Sequence, residues 1–289
     1  MSAPTVPAPD LGLRARPRRA GLNAAIRWEV RKLRSQVRTR AVLAGVLIAP
    51  LVVAVILHAQ SRPPKDTLFG RYATENGFAL ALLVLGFAAQ WALPLLVSIV
   101  AGDIFAGEDQ HGTWKTILTR SATRSTVFWA KVITAAGFAV LALLVLGAST
   151  ITSSVLVAGH SALTGLSGQV IAPHHAMVLV SESWATTIAP TLGFTALAIA
   201  LSVASRIPAV GIAAPPVLGM LMQLVGALGG IEALRPFLLS TPYESWHGLL
   251  AAPLFAGPLL AGLLTSFVWC AACLALALAL FRRRDITGG

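Results

Sequence analysis

The chain has 289 residues, 56% of them hydrophobic and only 11% charged, with a formal net charge of +11. Soluble domains carry about 25% charged residues, so a large water-soluble core is excluded and a polytopic membrane protein is indicated. The basic excess would suit nucleic acid, but no zinc-finger spacing or RNA-binding motif accompanies it, and nucleic acid is not an expected partner.

Residues 1–20 are rich in Pro, Ala and Arg and are expected to form a disordered basic cytoplasmic tail, within reach of anionic headgroups. A cleaved signal peptide would carry its apolar region closer to the terminus. Residues 21–40 form an amphipathic segment. Leu22, Ile26, Val30, Leu33 and Val37 share one stripe, and Arg27, Arg31, Arg34 and Arg38 lie opposite. The pattern predicts an interfacial helix with Trp28 at headgroup level. A helix packed on a soluble partner has the same periodicity.

Residues 41–289 are expected to form one transmembrane domain. Its apolar runs are Ala41–Leu57, Phe78–Ala101, Val132–Gly159, Ala185–Ala204, Ala209–Gly230 and Ala256–Phe281. Spanning a hydrocarbon core of about 30 Å takes roughly 20 helical residues. The Ala, Leu, Val and Gly texture favours helices over barrel strands. With both termini inside, every Lys and Arg falls on the cytoplasmic side except Arg62, Lys65, Arg71 and Arg235. That asymmetry is the positive-inside rule, and it explains the net charge.

The runs as bounded contain no Asp, Glu, Lys or Arg, whereas ion-coupled transporters place ionisable groups or broken helices near the midplane. Gln90, Trp91 and Gln223 are the candidate substrate path, though the same residues suit ordinary interhelical contacts. The outer segment Ile231–Pro253 is apolar enough to re-enter the bilayer or to lie on its surface. Cys270 and Cys273 sit within the sixth run, where hydrocarbon disfavours a thiolate. Of the histidines, His58, His160, His174, His175 and His247 fall in expected outer loops, without carboxylates at metal-ligand spacing. Neither catalysis nor a metal is indicated on this chain. No G-x-x-x-x-G-K-[ST] occurs, so it has no loop of its own to cradle nucleotide phosphates.

Gly102–Lys131 is a charged island between the second and third runs, and it is expected to meet water and a partner. Gly112 breaks the chain there. Thr113 can cap a short helix that sets Trp114, Ile117 and Leu118 on one apolar face. Such a face suits docking into a groove or lying on the membrane interface.

These residues resemble the cytoplasmic loop of ABC-2-type ABC transporter permeases, the membrane subunits of exporters. That pattern is carried by Glu108, Gly112-Thr113, Leu118, Arg124 and Lys131, with Ser121 where the family often has Pro. Trp28-Glu29-Val30-Arg31-Lys32-Leu33 is similar to the family's elbow helix. The resemblance implies an all-α membrane protein of six transmembrane helices, with an N-terminal amphipathic elbow helix (Trp28, Glu29, Lys32). A short cytoplasmic coupling helix would lie between the second and third spans. It further implies two ABC ATP-binding subunits that carry ATP and Mg, and a second permease chain, identical or related, in the cell membrane. The cargo class it suggests is a hydrophobic or amphiphilic drug, lipid or peptide. An ion-coupled secondary transporter and a non-transporting membrane scaffold or sensor are the alternative readings.

Overall fold

The computed structural model describes residues 21–60, 67, 69–114, 117, 123–228, 230 and 232–284. The expected tail at 1–20 and Leu118 lie outside them. Helix α1 occupies Leu22–Ser35 and α2 Val37–Ala59. Helix α3 runs over Gly77–Ala101, with a π turn at Ala88–Ala92. The short α4 covers Ala106–Gln110, and α5 is the long Arg124–Ala158 helix. A two-stranded ribbon pairs Leu163 with Ile171 and Thr164 with Val170. Helices α6 (Pro173–Thr186), α7 (Ile188–Ser205), α8 (Pro208–Ala227) and α9 (Gly257–Arg283) complete the chain.

Six helical segments are long and apolar enough to span a membrane: α2, α3, α5, α6 with α7, α8 and α9. The six runs expected from sequence each map onto one of them. Their boundaries differ for physical reasons. The amphipathic segment does not continue to residue 40. Extended backbone at Gln36 (φ −77°, ψ 130°) ends α1, and Val37–Arg40 already belong to the first turn of α2. Helix α5 starts at Arg124, where the Thr123 hydroxyl accepts from the Thr126 N–H at 3.1 Å. Its 35 residues make it about 52 Å long, well beyond a hydrocarbon core, so its polar first turns project past the lipid. Lys131 is therefore a helix residue and not a loop residue. The fourth spanning segment likewise begins at Pro173 and includes an exposed Glu182. The expectation of charge-free spans holds for the apolar runs but not for the helices that contain them.

Helices α3 and α7 are the most enclosed, whereas α2, α8 and α9 are peripheral. Leu47, Ile48 and Val55 on α2, Met220 and Leu224 on α8, and Leu263, Leu264 and Phe267 on α9 are all exposed. An apolar surface of that extent needs lipid or a further chain to cover it.

At one end of the bundle, the Asn76 side chain accepts from the Phe78 and Ala79 N–H groups at 2.8 and 3.2 Å, and so caps α3. Its amide donates to the carbonyl of Ala162 at 2.8 Å, tying α3 to the ribbon. Here the apolar 231–253 segment folds into 3-10 helices at Glu232–Phe237 and Thr241–Leu250. The second lies beside the middle of the α6–α7 segment. Tyr243 meets the Thr191 hydroxyl at 3.1 Å, and Leu239 packs where Gly193 has no side chain. Protein covers Leu239, Tyr243, Trp246 and Leu250. At the opposite end, α1, α4 and the last turn of α9 converge.

Candidate functional site

The first part of the charged island does not meet water as expected. Residues 102–108 are all buried, seated in a socket made by the ends of the surrounding helices. Gly102 touches Gly211 of α8 so closely that a Cβ on either would fall 2.2 Å from the other's backbone. The Ser98 hydroxyl donates to the Ile212 carbonyl at 2.8 Å, fastening α3 to α8 at the same point. From α7, the Ser202 hydroxyl accepts from the Phe105 and Ala106 N–H groups at 3.3 and 3.0 Å. The Phe105 ring then packs against Phe128 of α5, Phe281 of α9 and Trp114, with centroids 5.4–6.1 Å apart.

Charges can be buried here because each has a partner. One Glu108 carboxylate oxygen accepts from Lys131 of α5 at 2.7 Å and from Lys32 of α1 at 2.5 Å, and the other accepts from the Thr113 hydroxyl. Lys131 also meets Glu29 of α1 at 2.9 Å. Its ammonium lies 5.9 Å from the Phe105 ring centre and 5.8 Å from that of Trp114, so π faces replace part of its lost hydration. Burial alone would push the Glu108 carboxyl up. The Lys131 charge and the hydrogen bonds from Lys131, Lys32 and Thr113 outweigh it and hold the group down at about 2.

Flanking pairs complete the arrangement. Arg38 at the start of α2 binds Asp103. Asp109 lies 2.7 Å from the Arg284 guanidinium and accepts from the Trp114 indole N–H at 3.0 Å. Arg284 sits over the Trp114 ring at 5.9 Å. Arg124 donates to the carbonyls of Arg282 and Arg284 at 3.1 and 2.7 Å, which straps the end of α9 to the start of α5.

The structure thus brings together Glu29, Lys32, Glu108, Thr113 and Lys131, with Arg124 close by in the strap. Gly112 takes a left-handed turn (φ +62°), where a side chain would be strained. The Thr113 hydroxyl donates to Glu108, and the Thr113 carbonyl accepts from the Ile117 N–H at 3.1 Å, which opens a helical turn. One expectation changes. Trp114 does not present its indole outward. It is buried on Phe105 and Phe281, and Ile117 is half-buried against the same core. Trp28 remains half-exposed on α1, beneath the Lys32 ammonium at 5.7 Å.

Sequence reasoning missed Arg38, Asp103, Asp109 and Arg284 as partners. Their signal was available: Asp103, Glu108 and Asp109 are acids set among an excess of cations, and charges that close together are expected to pair.

At the other end, Gln90, Trp91 and Gln223 also come together. Within the π turn the Gln90 carbonyl accepts from the Gln223 amide at 3.0 Å. The three line an open cavity of about 510 Å³ between α3, α8 and the two 3-10 helices, with Met220, Arg235 and Glu244 also on its walls.

The family model described as ABC-2 family transporter protein matches residues 25–226. The chain belongs to the ABC-2 transporter family. No match was found among curated proteins. The matched stretch of this ABC-2 chain takes in α1 from Ala25 through α8. It therefore contains Glu29, Lys32, Glu108 and Lys131, while the 3-10 helices and α9 with Arg284 lie beyond it. Membership makes the protein a multi-pass membrane transport permease. ABC-2 permeases are generally non-catalytic membrane subunits, and membership implies association with an ABC ATP-binding subunit.

Proposed function

We propose that this chain is the permease subunit of an ATP-driven exporter. Two ATP-binding subunits hold ATP and Mg, and a second permease chain, identical or related, completes the path across the cell membrane. Both termini face the cytoplasm, since the end that collects α1, α4 and Arg284 also holds the great majority of the cations.

The observation that carries the proposal is the Glu108 cluster. One carboxylate ties the elbow helix α1, the loop through Thr113 and the third span through Lys131. The turn that opens at Trp114 is attached to that cluster and, through Phe105 and Ser202, to α7. A push on this turn by a closing ATPase pair moves a packed unit, not a free loop. Trp114 then positions from within the segment that docks on the ATP-binding subunit.

The cargo is a hydrophobic or amphiphilic molecule, a drug, lipid or peptide, whose path passes Gln90, Trp91 and Gln223. The cavity they line offers Trp91, Met220 and Leu224 to an apolar body and Gln90, Gln223, Arg235 and Glu244 to a polar end.

The test is co-reconstitution of the chain with its ATP-binding subunit in proteoliposomes, followed by efflux of a fluorescent amphiphile. ATP-dependent efflux that Lys131→Met abolishes, with the two subunits still co-purifying, supports the reading. Efflux driven by an ion gradient without ATP would replace it with secondary transport, and no efflux under either condition would favour a scaffold.

A further inference from the structure

Helix α1 turns its one acidic residue inward. Glu29 is buried on Lys131, and Leu33 and Lys32 share that inner side, where Lys32 reaches Glu108. Arg27, Arg31 and Arg34 are left on the opposite side. All three are exposed, and none has an acidic partner among the described residues. At 3.6 residues per turn they form one ridge, with Val30 on one flank and Trp28 on the other. Both flanking residues are exposed, at 39% and 49%.

The position of this ridge is constrained. A single residue, Gln36, separates α1 from α2, a spanning helix whose Leu47, Ile48, Leu51, Val52 and Val55 form an exposed apolar face. One extended residue reaches only about 3.5 Å, and the headgroup layer of each leaflet is about 5–7 Å thick. With its inner side pinned to the bundle by ion pairs, α1 is held close to the end of the first span, where headgroups lie. Guanidinium groups there meet phosphates, which they bind in a bidentate fashion, while Trp28 and Val30 suit the acyl boundary.

We infer that the Arg27–Arg31–Arg34 ridge is a binding surface for anionic phospholipid, and that lipid seated on it holds α1 in the orientation that closes the Glu29–Lys131–Glu108–Lys32 cluster. Only the second clause rests on the coupling role proposed above. Through it, leaflet charge sets how firmly α1 is attached to the unit that the ATPase must move.

The test uses the full chain in nanodiscs of phosphatidylcholine alone or phosphatidylcholine doped with phosphatidylglycerol, with hydrogen exchange read on the α1 amides. The wild type gains protection with phosphatidylglycerol, and added salt reverses the gain. Each arginine near the surface is worth about fivefold in preference for anionic lipid. The combined Arg27→Gln, Arg31→Gln and Arg34→Gln variant should therefore lose on the order of a hundredfold, whereas Lys at all three positions keeps most of the preference. Glu29→Gln retains phosphatidylglycerol binding but loses the added protection of α1. Equal protection in both lipids, or an unchanged Gln variant, overturns the binding surface. Protection that arises only when the ATP-binding subunit is added shows instead that the ridge is a protein interface. If lipid preference is present but Glu29→Gln does not reduce protection, the link to the cluster fails while the surface stands.

Discussion

The Lys131 ammonium lies 2.7 Å from a Glu108 carboxylate oxygen, and neither side chain is open to solvent. The pair is not symmetric, because Lys131 serves a second carboxylate, Glu29, at 2.9 Å. Removing the lysine leaves two buried acids facing each other, whereas removing Glu108 leaves Lys131 still paired. Breaking a buried pair from one side costs about 3–5 kcal/mol. Lys131→Met should therefore lower thermal stability in detergent most, and Glu108→Gln less. Lys32→Ala should lower it least, since Lys32 is partly exposed and such a pair is worth about 0–1 kcal/mol. A double-mutant cycle between positions 108 and 131 measures the coupling directly. Equal losses for the three single variants would contradict the arrangement.

The Glu108 carboxyl, held at about 2, defines a second prediction. Its folded value lies below its ordinary value of 4.5, so the unfolded state binds the proton first and the stabilisation is fully present above that ordinary value. It is lost as pH falls from about 4.5 towards about 2. Thermal melts across that window should show a stability loss in the wild type that Glu108→Gln largely removes. A variant melting curve with the same pH slope would mean that another carboxylate is responsible.

The spans were readable because hydropathy is summed over about twenty residues, and no tertiary contact is needed to see it. The start of α5 was not, because hydropathy does not mark the polar turns that follow the Thr123 cap: Arg124 begins α5 eight positions before the apolar run. The burial of Lys131 was not either, because it depends on Glu29 and Glu108, which lie on other elements. The residue types of the cluster were legible at Glu108, Thr113 and Lys131, but the direction of Trp114 was not. An amphipathic turn looks the same whether its face docks a partner or its own core. The deciding rings are Phe105, just upstream of it, and Phe281, near the far end of the chain.

The contact of Gly102 with Gly211 supplies a third prediction. A Cβ on Gly102 would meet the Gly211 carbonyl at 2.2 Å, a clash with backbone that no rotamer change relieves. Gly102→Ala should separate α3 from α8 and strain the Ser98–Ile212 hydrogen bond, at a cost of about 1–3 kcal/mol or more. Gly45→Ala is the control, since nothing lies within 4 Å of a Cβ there. Melting temperatures of the two variants in detergent compare them. If both behave like the wild type, the close crossing is absent.

A fourth prediction concerns the strap on α9. Arg284 is buried, pairs with Asp109 and covers Trp114, while Arg124 holds the backbone on either side of it. Arg284→Asp should place two carboxylates against each other and free the end of α9 from the loop. The exchange Arg284→Asp with Asp109→Arg should restore part of what is lost. Cysteines introduced at 109 and 284 should crosslink in the resting state. If the exchange is no better than Arg284→Asp alone, the strap rests on the Arg124 bonds and not on the ion pair.

The cavity bounded by Gln90, Trp91 and Gln223 gives the last prediction. Trp91 is 52% exposed and Leu95, one turn further along α3, is 45% exposed, so truncating either costs little packing. They differ in what they face, because Trp91 lines the cavity and Leu95 is not among its wall residues. If the cavity carries an amphiphile, Trp91→Ala should weaken the concentration dependence of amphiphile-stimulated ATP hydrolysis, since a buried aromatic contact is worth about 1 kcal/mol or more. Leu95→Ala should leave it unchanged. Gln223→Leu removes the side-chain donor to the Gln90 carbonyl in the π turn. It should therefore raise the half-saturating concentration and also lower the melting temperature modestly, by a bond worth about 1 kcal/mol. Glu244→Gln separates cargo by charge: a cationic amphiphile should lose stimulation, and a neutral one should not. Identical curves for Trp91→Ala, Leu95→Ala and wild type would show that Trp91 faces lipid or the second permease chain and that the path runs elsewhere.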